Sequence, residues 1–326
     1  TEYSIASGSL LLNFKTNNWD DRILDTVGLS RENMPDIINS GMYASKISSS
    51  VCKELNIKPI RIATCASHDT ASAVASIPVE NKYINWAFLS TGTWFILGIE
   101  TTQKIIKDDV IKYGFTNEGG VLGTTFLGKN LSAGLWVLQE CRKKWNDSYK
   151  KSFTWEEIER QAKISKLQQV FIDLENATFI KSNRNMPELI ADFCRNTNQP
   201  VPQKIGEISK CIFESLALIV KQYLFELEII SGKKIEILHM IGGGVYNQLL
   251  CQLVSNALGI IVLAGPAEAA SAGNLIMQLK AGNDISDLSE GREIIKRSFK
   301  VVQYSPKEKV YWEESFNKFK ELIKNI

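Results

Sequence analysis

The stretch from Ile60 to Gly98 changes its hydrophobic pattern several times, and the rest of the chain is organised around it. Ile60 to Thr64 is short, apolar and β-branched, which predicts a strand. Ser67-His68-Asp69-Thr70 follows as a polar turn. Ala71 to Ser76 is small and compatible with a helix, and Pro78 stops it. A polar break at Asn81-Lys82 marks a hinge or linker before the pattern restarts at Trp86. Two β-rich runs, Trp86 to Leu89 and Trp94 to Ile99, are joined by the Ser90-Thr91-Gly92-Thr93 hairpin.

On the N-terminal side, Thr1 to Asn13 alternates weakly and predicts strand or loop. Trp19 to Val27 predicts a helix with Asp20 and Asp21 in its first turn and Gly28 as its stop. Met34-Pro35 to Gly41 reads as a turn region, and Val51 to Leu55 as a short helix. On the C-terminal side, Phe115 to Gly120 reads as a turn cluster. Leu131 to Trp145 is an amphipathic helix that places Gln139 one turn after Leu135. Thr154 and Glu157 form a capping box, Pro187 opens a helix to about Arg195, and Ile205 to Ile230 is a long helix ended by Ser231-Gly232.

A second unit of regular pattern begins at Ile235. A strand to Ile241, the turn Gly242-Gly243-Gly244, a helix from Asn247 to Leu258, a strand from Ile260 to Ala264, the turn Gly265-Pro266 and a helix to about Leu279 succeed one another. This alternation predicts an α/β protein with a parallel layer. No internal repeat or low-complexity tract interrupts the 326 residues.

Composition narrows the function classes. At 44% hydrophobic and 23% charged residues the chain has the make-up of a globular protein with a sizeable core. Its 38 Lys and Arg balance 36 Asp and Glu, so charge offers no reason to expect nucleic acid or a membrane as partner. The basic stretch from Lys307 to Lys324 is interleaved with Glu and suits a solvated helix face. The most apolar segment, Phe213 to Ile230, carries Glu214, Lys221, Glu226 and Glu228 and is not a membrane span. Six scattered cysteines without CxxC spacing point to the reducing cytoplasm. Cys194 and Cys211, near a helix end and a helix start, are placed to approach each other, but a bond is not expected. With two histidines, a metal site built on histidine is not expected either.

Candidate chemistry lies at the turns. Asp69 sits where a strand gives way to a helix, and a helix N-terminus holds a carboxylate ionised and fixed. The Ser90–Thr93 turn offers hydroxyl and backbone donors with no bulky side chain, which suits phosphate. Taken singly, Asp69 also suits an ordinary N-cap, the hairpin a plain turn, and His68 a solvated turn residue. The glycine turn is not a Walker A loop, because no Gly-Lys-Ser/Thr follows. Nor is it a dinucleotide fingerprint: Gly242 and Gly244 supply G-x-G, but Asn247 stands where the third glycine belongs. Three consecutive glycines lose much entropy on folding, which favours close approach by a ligand over a bare turn.

The segments ASHDTASAVA, STGTW, TNEGG, GLWVLQECR, SLAL, IGGGVYNQLL and AGPAEAASAGN occur in this order along the chain. With them the chain resembles the sugar kinases of the FGGY family, from about Thr1 to about Leu279. SHDTASA and TNEGG are the more telling, whereas GGG and GTW are shared more broadly. The resemblance implies an actin-like or hexokinase-like ATPase fold with ribonuclease-H-like domains. Residues 1–82 would be the end of a sugar-side domain, and 83–326 a nucleotide-side domain. It implies ATP-dependent phosphorylation of a ketose, with Mg²⁺ accompanying ATP through ligands not identified in this chain. Asp69 takes the place of the catalytic base, and His68, Asp69, Thr70 and Asn130 of sugar contacts. Thr93, Gln139 and Gly243 take the place of nucleotide contacts, with Gly92 and Gly242 beside them.

The chain departs from the family in two places. One extra residue lies between Lys129-Asn130 and Gly134. The family's Asp-Gly-Thr/Ser-type phosphate loop and most of its sugar-binding domain, roughly 150 residues or one domain's worth, have no counterpart here. The expectations that follow are a chain with no kinase activity by itself, and either self-association through the apolar strand edge around Ile60 to Thr64 or poor order in residues 1–82 while 83–326 stays folded. The alternatives are a kinase of the same family acting on fuculose, xylulose or a related polyol, a nucleotide-binding module without catalysis, and a structural α/β domain.

Overall fold

A computed structural model describes residues 1–13, 15–79, 85–92, 94–131, 133–180 and 185–324. Its elements, numbered in chain order, begin with α1 (Tyr3–Ser7), β1 (Leu12–Asn13), β2 (Asn18–Trp19), α2 (Asp21–Thr26), β3 (Tyr43–Lys46), α3 (Ser49–Leu55), β4 (Arg61–Ala63) and α4 (Asp69–Ala75). Next come β5 (Trp86–Thr91), β6 (Phe95–Thr101), α5 (Asp108–Lys112), β7 (Thr116–Gly119), β8 (Thr125–Leu131), α6 (Trp136–Tyr149), α7 (Trp155–Ile164) and α8 (Met186–Asn196). The last are α9 (Ile205–Ser231), β9 (Ile237–Ile241), α10 (Gln248–Leu258), β10 (Ile261–Ala264), α11 (Ala269–Gly282), α12 (Leu288–Ser298), β11 (Val302–Tyr304) and α13 (Lys309–Lys324).

The chain divides into two compact units. The first comprises residues 1–82, 98–128 and 268–300, the second 83–97, 129–267 and 301–326. A seven-stranded sheet has the order β11-β10-β9-β5-β6-β8-β7. In the second unit β9 runs parallel to both β5 and β10, and β11 closes that edge antiparallel to β10. The β-α-β-α pattern after Ile235 therefore forms the parallel layer that it predicts. Helix α9 is buried along most of its length, including Phe213, Leu216 and Leu218, and it packs on α7 and α10. A helix apolar on nearly all sides is a core helix of a large domain. Among the described residues no helix is long and apolar enough to cross a membrane.

In the first unit α4 and α11 lie against each other. Both helices are rich in buried small or apolar residues, among them Ala71, Ala75, Ala269, Ala272 and Ile276. Strands β3 and β4 form a separate antiparallel pair; Ile62 of β4 and Ile60 just before it are exposed.

The structure differs from the sequence pattern in several places. Tyr3–Ser7 is a helix rather than strand or loop, because the Glu2 side chain caps it by accepting from the Ser4 N–H. The TNEGG segment is not all turn: Thr116–Gly119 pairs with β8, and the turn falls at 120–124. Pairing with a remote strand supplies the backbone partners that its composition does not advertise. Leu131 belongs to β8, so the helix carrying Gln139 starts at Trp136. The hinge at Asn81-Lys82 lies outside the described residues.

Candidate active site

The Ser67–Thr70 turn is held by the N-terminal segment. The buried Glu2 carboxylate accepts from the Ser67 N–H (2.9 Å) and from Ser4. Ser4 Oγ in turn accepts from the His68 N–H at 3.1 Å. His68 is the N-cap residue of α4, and Asp69 is the first residue inside the helix. Asp69 Oδ1 accepts from the Thr70 N–H (2.7 Å), while the carboxylate as a whole stands 87% exposed. A fixed, hydrated carboxylate at a helix start suits proton acceptance from a bound hydroxyl. Thr70 is buried beside it, with Oγ1 at 3.5 Å from Asp69 Oδ1.

His68 lies between two carboxylates. Its Nδ1 is 3.1 Å from Glu118 Oε2, and its Nε2 is 3.7 Å from Asp69 Oδ1. The Nδ1 contact is an ion-pair approach without an aligned N–H. Glu118 raises the imidazole above its ordinary value, opposed by burial and assisted by Asp69 and Glu2. The far end of α4 is clamped as well. Arg292 donates to the carbonyls of Val74 and Ala75 and forms a two-pronged ion pair with Glu100 at 2.8 and 2.9 Å. The Val74 carbonyl also accepts from the Ile77 N–H at 3.1 Å, so the arginine adds a charged donor to the last carbonyls of the helix.

In the second unit the carboxyl ends of β5 and β9 lie side by side, since the strands are parallel with Ser90 opposite Ile241. Ligands bind at such strand ends in open α/β sheets. Both strands run into glycine-bearing turns, and a cavity of about 690 Å³ opens there. Gly92, Gln139 and Gly243 all line it, together with Leu135, Trp155, Tyr246 and Asn247. Apolar and aromatic walls with amide edges suit an aromatic base that carries polar atoms.

The three glycines of the turn divide by role. Gly242 has φ +86°, and a Cβ there would stand 2.7 Å from the Thr91 carbonyl oxygen. A Cβ on Gly244 would stand 2.6 Å from the Thr91 side chain. Thr91, fully buried, donates from Oγ1 to the Ile241 carbonyl at 2.6 Å and stitches β5 to β9. Gly242 and Gly244 thus admit another strand of the same protein. A Cβ on Gly243 meets nothing within 4 Å, and only this glycine leaves space free in the cavity.

The remaining candidates are placed as follows. Asn130 is an exposed residue of β8 in the second unit, and Thr93 lies outside the described residues. Among the described residues no cluster of three His, Cys, Asp or Glu side chains has metal-binding geometry. All six cysteines are free, and Cys211 lowers the thiol of Cys194 below its ordinary value. A larger cavity of the first unit, about 960 Å³, is lined by Glu2, Ser40, Asn17 and Lys104 and does not include His68, Asp69 or Thr70. Glu2, Ser4 and Glu118 are missed by reading the sequence: they meet the turn only through the fold. The one available signal was the acidic residue inside TNEGG.

Comparison with known proteins places these features in a family. Residues 1–75 match the N-terminal domain, and residues 87–282 the C-terminal domain, of the FGGY family of carbohydrate kinases. A rhamnulokinase of Bacteroides thetaiotaomicron is 37% identical over 99% of this chain and 65% of its own length. A rhamnulokinase of Bacillus subtilis is 34% identical over 94% of this chain and 62% of its own. The chain therefore spans less than two thirds of these curated relatives. Among solved structures, Plasmodium falciparum glycerol kinase with ADP superposes with a TM-score of 0.73 at 15% identity, covering 100% of this chain and 63% of that one. A ligand-bound xylulose kinase from Lactobacillus acidophilus gives 0.70 at 16% identity, covering 100% and 64%. The fold is the actin-like, hexokinase-like ATPase fold of these kinases.

Proposed function

The chain belongs to the FGGY family of carbohydrate kinases, and we propose that it carries the base and the nucleotide site of an ATP-dependent ketose kinase acting on L-rhamnulose. The products would be L-rhamnulose 1-phosphate and ADP. The observation that carries this reading is the convergence of Gly92, Gln139 and Gly243, distant in sequence, on one cavity at the ends of β5 and β9. The rhamnulokinase relatives support the choice of sugar.

In this reading Asp69 takes the proton from the sugar O1 hydroxyl as that oxygen attacks the γ-phosphorus of ATP. The O1–P bond forms, the bond from the γ-phosphorus to the bridging oxygen breaks, and ADP leaves. His68, Thr70 and Asn130 contact the sugar. Gln139 and Gly243 seat the nucleoside, while Thr93 and Gly92 approach the phosphates, with Gly242 behind them. Phosphoryl transfer depends mainly on positioning and charge stabilisation, so fixed turns are the right equipment. Mg²⁺ would accompany ATP to neutralise phosphate charge. Residues 1–82 would supply the sugar side, and the nucleotide side would lie within 83–326. Six free thiols suit a reducing cytoplasm, and the exposed Ile60 and Ile62 are the surface through which the chain would self-associate.

Two measurements test the reading. Calorimetry with ADP on this chain reports the nucleotide site. Phosphorylation of rhamnulose, fuculose and xylulose by the full-length protein reports the sugar. Absence of ADP binding, or a clear preference for another sugar, overturns the corresponding half.

A further inference from the structure

We propose that Glu118 is a positioning residue that fixes the ring of His68 with Nδ1 toward β7 and Nε2 toward Asp69, so that a hydroxyl brought to Asp69 meets an oriented imidazole edge. The proposal rests on the reading of Asp69 as the base that receives the sugar hydroxyl.

The backbone of the turn needs no help from Glu118, because Glu2 and Ser4 already accept from the N–H groups of Ser67 and His68. What stays undetermined is the side chain of His68. Two residues of the β7–β8 hairpin determine it. Glu118 and Phe126 are directly opposed across that pair, and opposed residues project from the same face of a sheet. Phe126 stacks on the imidazole, with centroids 6.1 Å apart and planes 26° from parallel. Stacking fixes the plane of the ring but not which edge faces which way. Glu118 removes that ambiguity: its Oε2 lies 3.1 Å from Nδ1, which leaves Nε2 at 3.7 Å from Asp69 Oδ1.

Glu118 is itself held. Its Oε1 accepts from Thr116 Oγ1 at 3.1 Å, and its backbone carbonyl accepts from Thr125 Oγ1 at 2.6 Å. Its side chain is 22% exposed, and that of His68 24%, so water screens the pair only in part. The result is a carboxylate–imidazole–carboxylate line that ends on the exposed Asp69. Such a second carboxylate sets the tautomer and orientation of a histidine without touching substrate. The ionisable groups facing the ring are Glu118 from β7, Asp69 from the helix it caps and Glu2 from the N-terminal segment.

The protein offers a direct test, because it has only two histidines, His68 and His239. NMR of the imidazole carbon-bound protons through a pH titration reads both, with His239, buried against Trp86, as internal control. In Glu118→Gln the titration midpoint of His68 moves down, and by more than in Asp69→Asn, while His239 is unchanged. The unmodified protein gives a second reading that does not depend on a variant folding. Above its midpoint, imidazole ¹⁵N shifts report His68 as the Nδ1–H tautomer. An unmoved His68 midpoint in Glu118→Gln, or an Nε2–H tautomer in the parent, overturns the proposal. Both readouts are independent of kinase activity. If they hold while the full-length protein phosphorylates no sugar, the functional reading fails and the positioning role stands.

Discussion

Gly273 of α11 lies directly under Ser72 of α4: a Cβ on Gly273 would fall 1.7 Å from the Ser72 carbonyl oxygen. The two helices touch backbone to backbone, so the height of α4, and with it the position of Asp69 at its start, is set by a missing side chain on another element. Gly273→Ala must push the helices apart. Because the obstacle is backbone and not a flexible side chain, the loss of stability should be about 1–3 kcal/mol or more. Urea titration of the parent and the variant measures it, and an unchanged midpoint would mean that the helices separate freely.

Gly243 and Gly244 provide a contrasting pair. Gly244→Ala places a methyl against Thr91 and should lower the melting temperature. Gly243→Val enters open space, so it should leave stability near that of the parent while obstructing ADP. Equal ADP binding by Gly243→Val and the parent, read by calorimetry, would remove the nucleoside from this cavity.

Asp69→Asn in the full-length protein keeps the shape of the side chain and removes the proton acceptor. Sugar affinity should stay near the parent value while turnover falls about 10²–10⁴-fold, the usual contribution of a positioned base. A coupled assay of ADP release at saturating sugar reads the ratio, and unchanged turnover would leave Asp69 as a structural residue at the start of α4.

Glu214 of α9 is the prediction that concerns pH. Burial pushes its carboxyl up to about 7, against the opposing pull of Lys210 and of the Tyr311 hydroxyl 3.2 Å away. Between 4.5 and about 7 the folded protein binds a proton that the unfolded chain has lost, so this group makes stability fall as pH rises through that window. Moving the midpoint from 4.5 to about 7 corresponds to about 3 kcal/mol at full development. Glu214→Gln should therefore stabilise the protein at pH 8 relative to the parent and have little effect at pH 5. Denaturation at the two pH values checks the sign, and a variant equally destabilised at both would show that the ion pair with Lys210 outweighs burial.

Local chemistry decided much of this protein before any long-range contact. The capping box at Thr154 and Glu157, the start of α8 at Pro187 and the stop of α9 at Gly232 all stand where their residues place them. So do the strand, glycine turn and helix from Ile237 to Leu258, because caps, turns and hydrophobic period are interactions among near neighbours in sequence. Tertiary structure decided what depends on partners far along the chain. Thr116–Gly119 has the composition of a turn and becomes a strand because β8 offers it a ladder. Gly242 and Gly244 are glycines because β5 passes within reach of their Cβ positions, whereas a Cβ on Gly243 would meet nothing. The sequence marks His68 and Asp69 as neighbours. That a carboxylate from residue 118 and another from residue 2 govern the same turn follows only from the fold, since charge and hydrogen bonding act through space and leave no trace in local spacing.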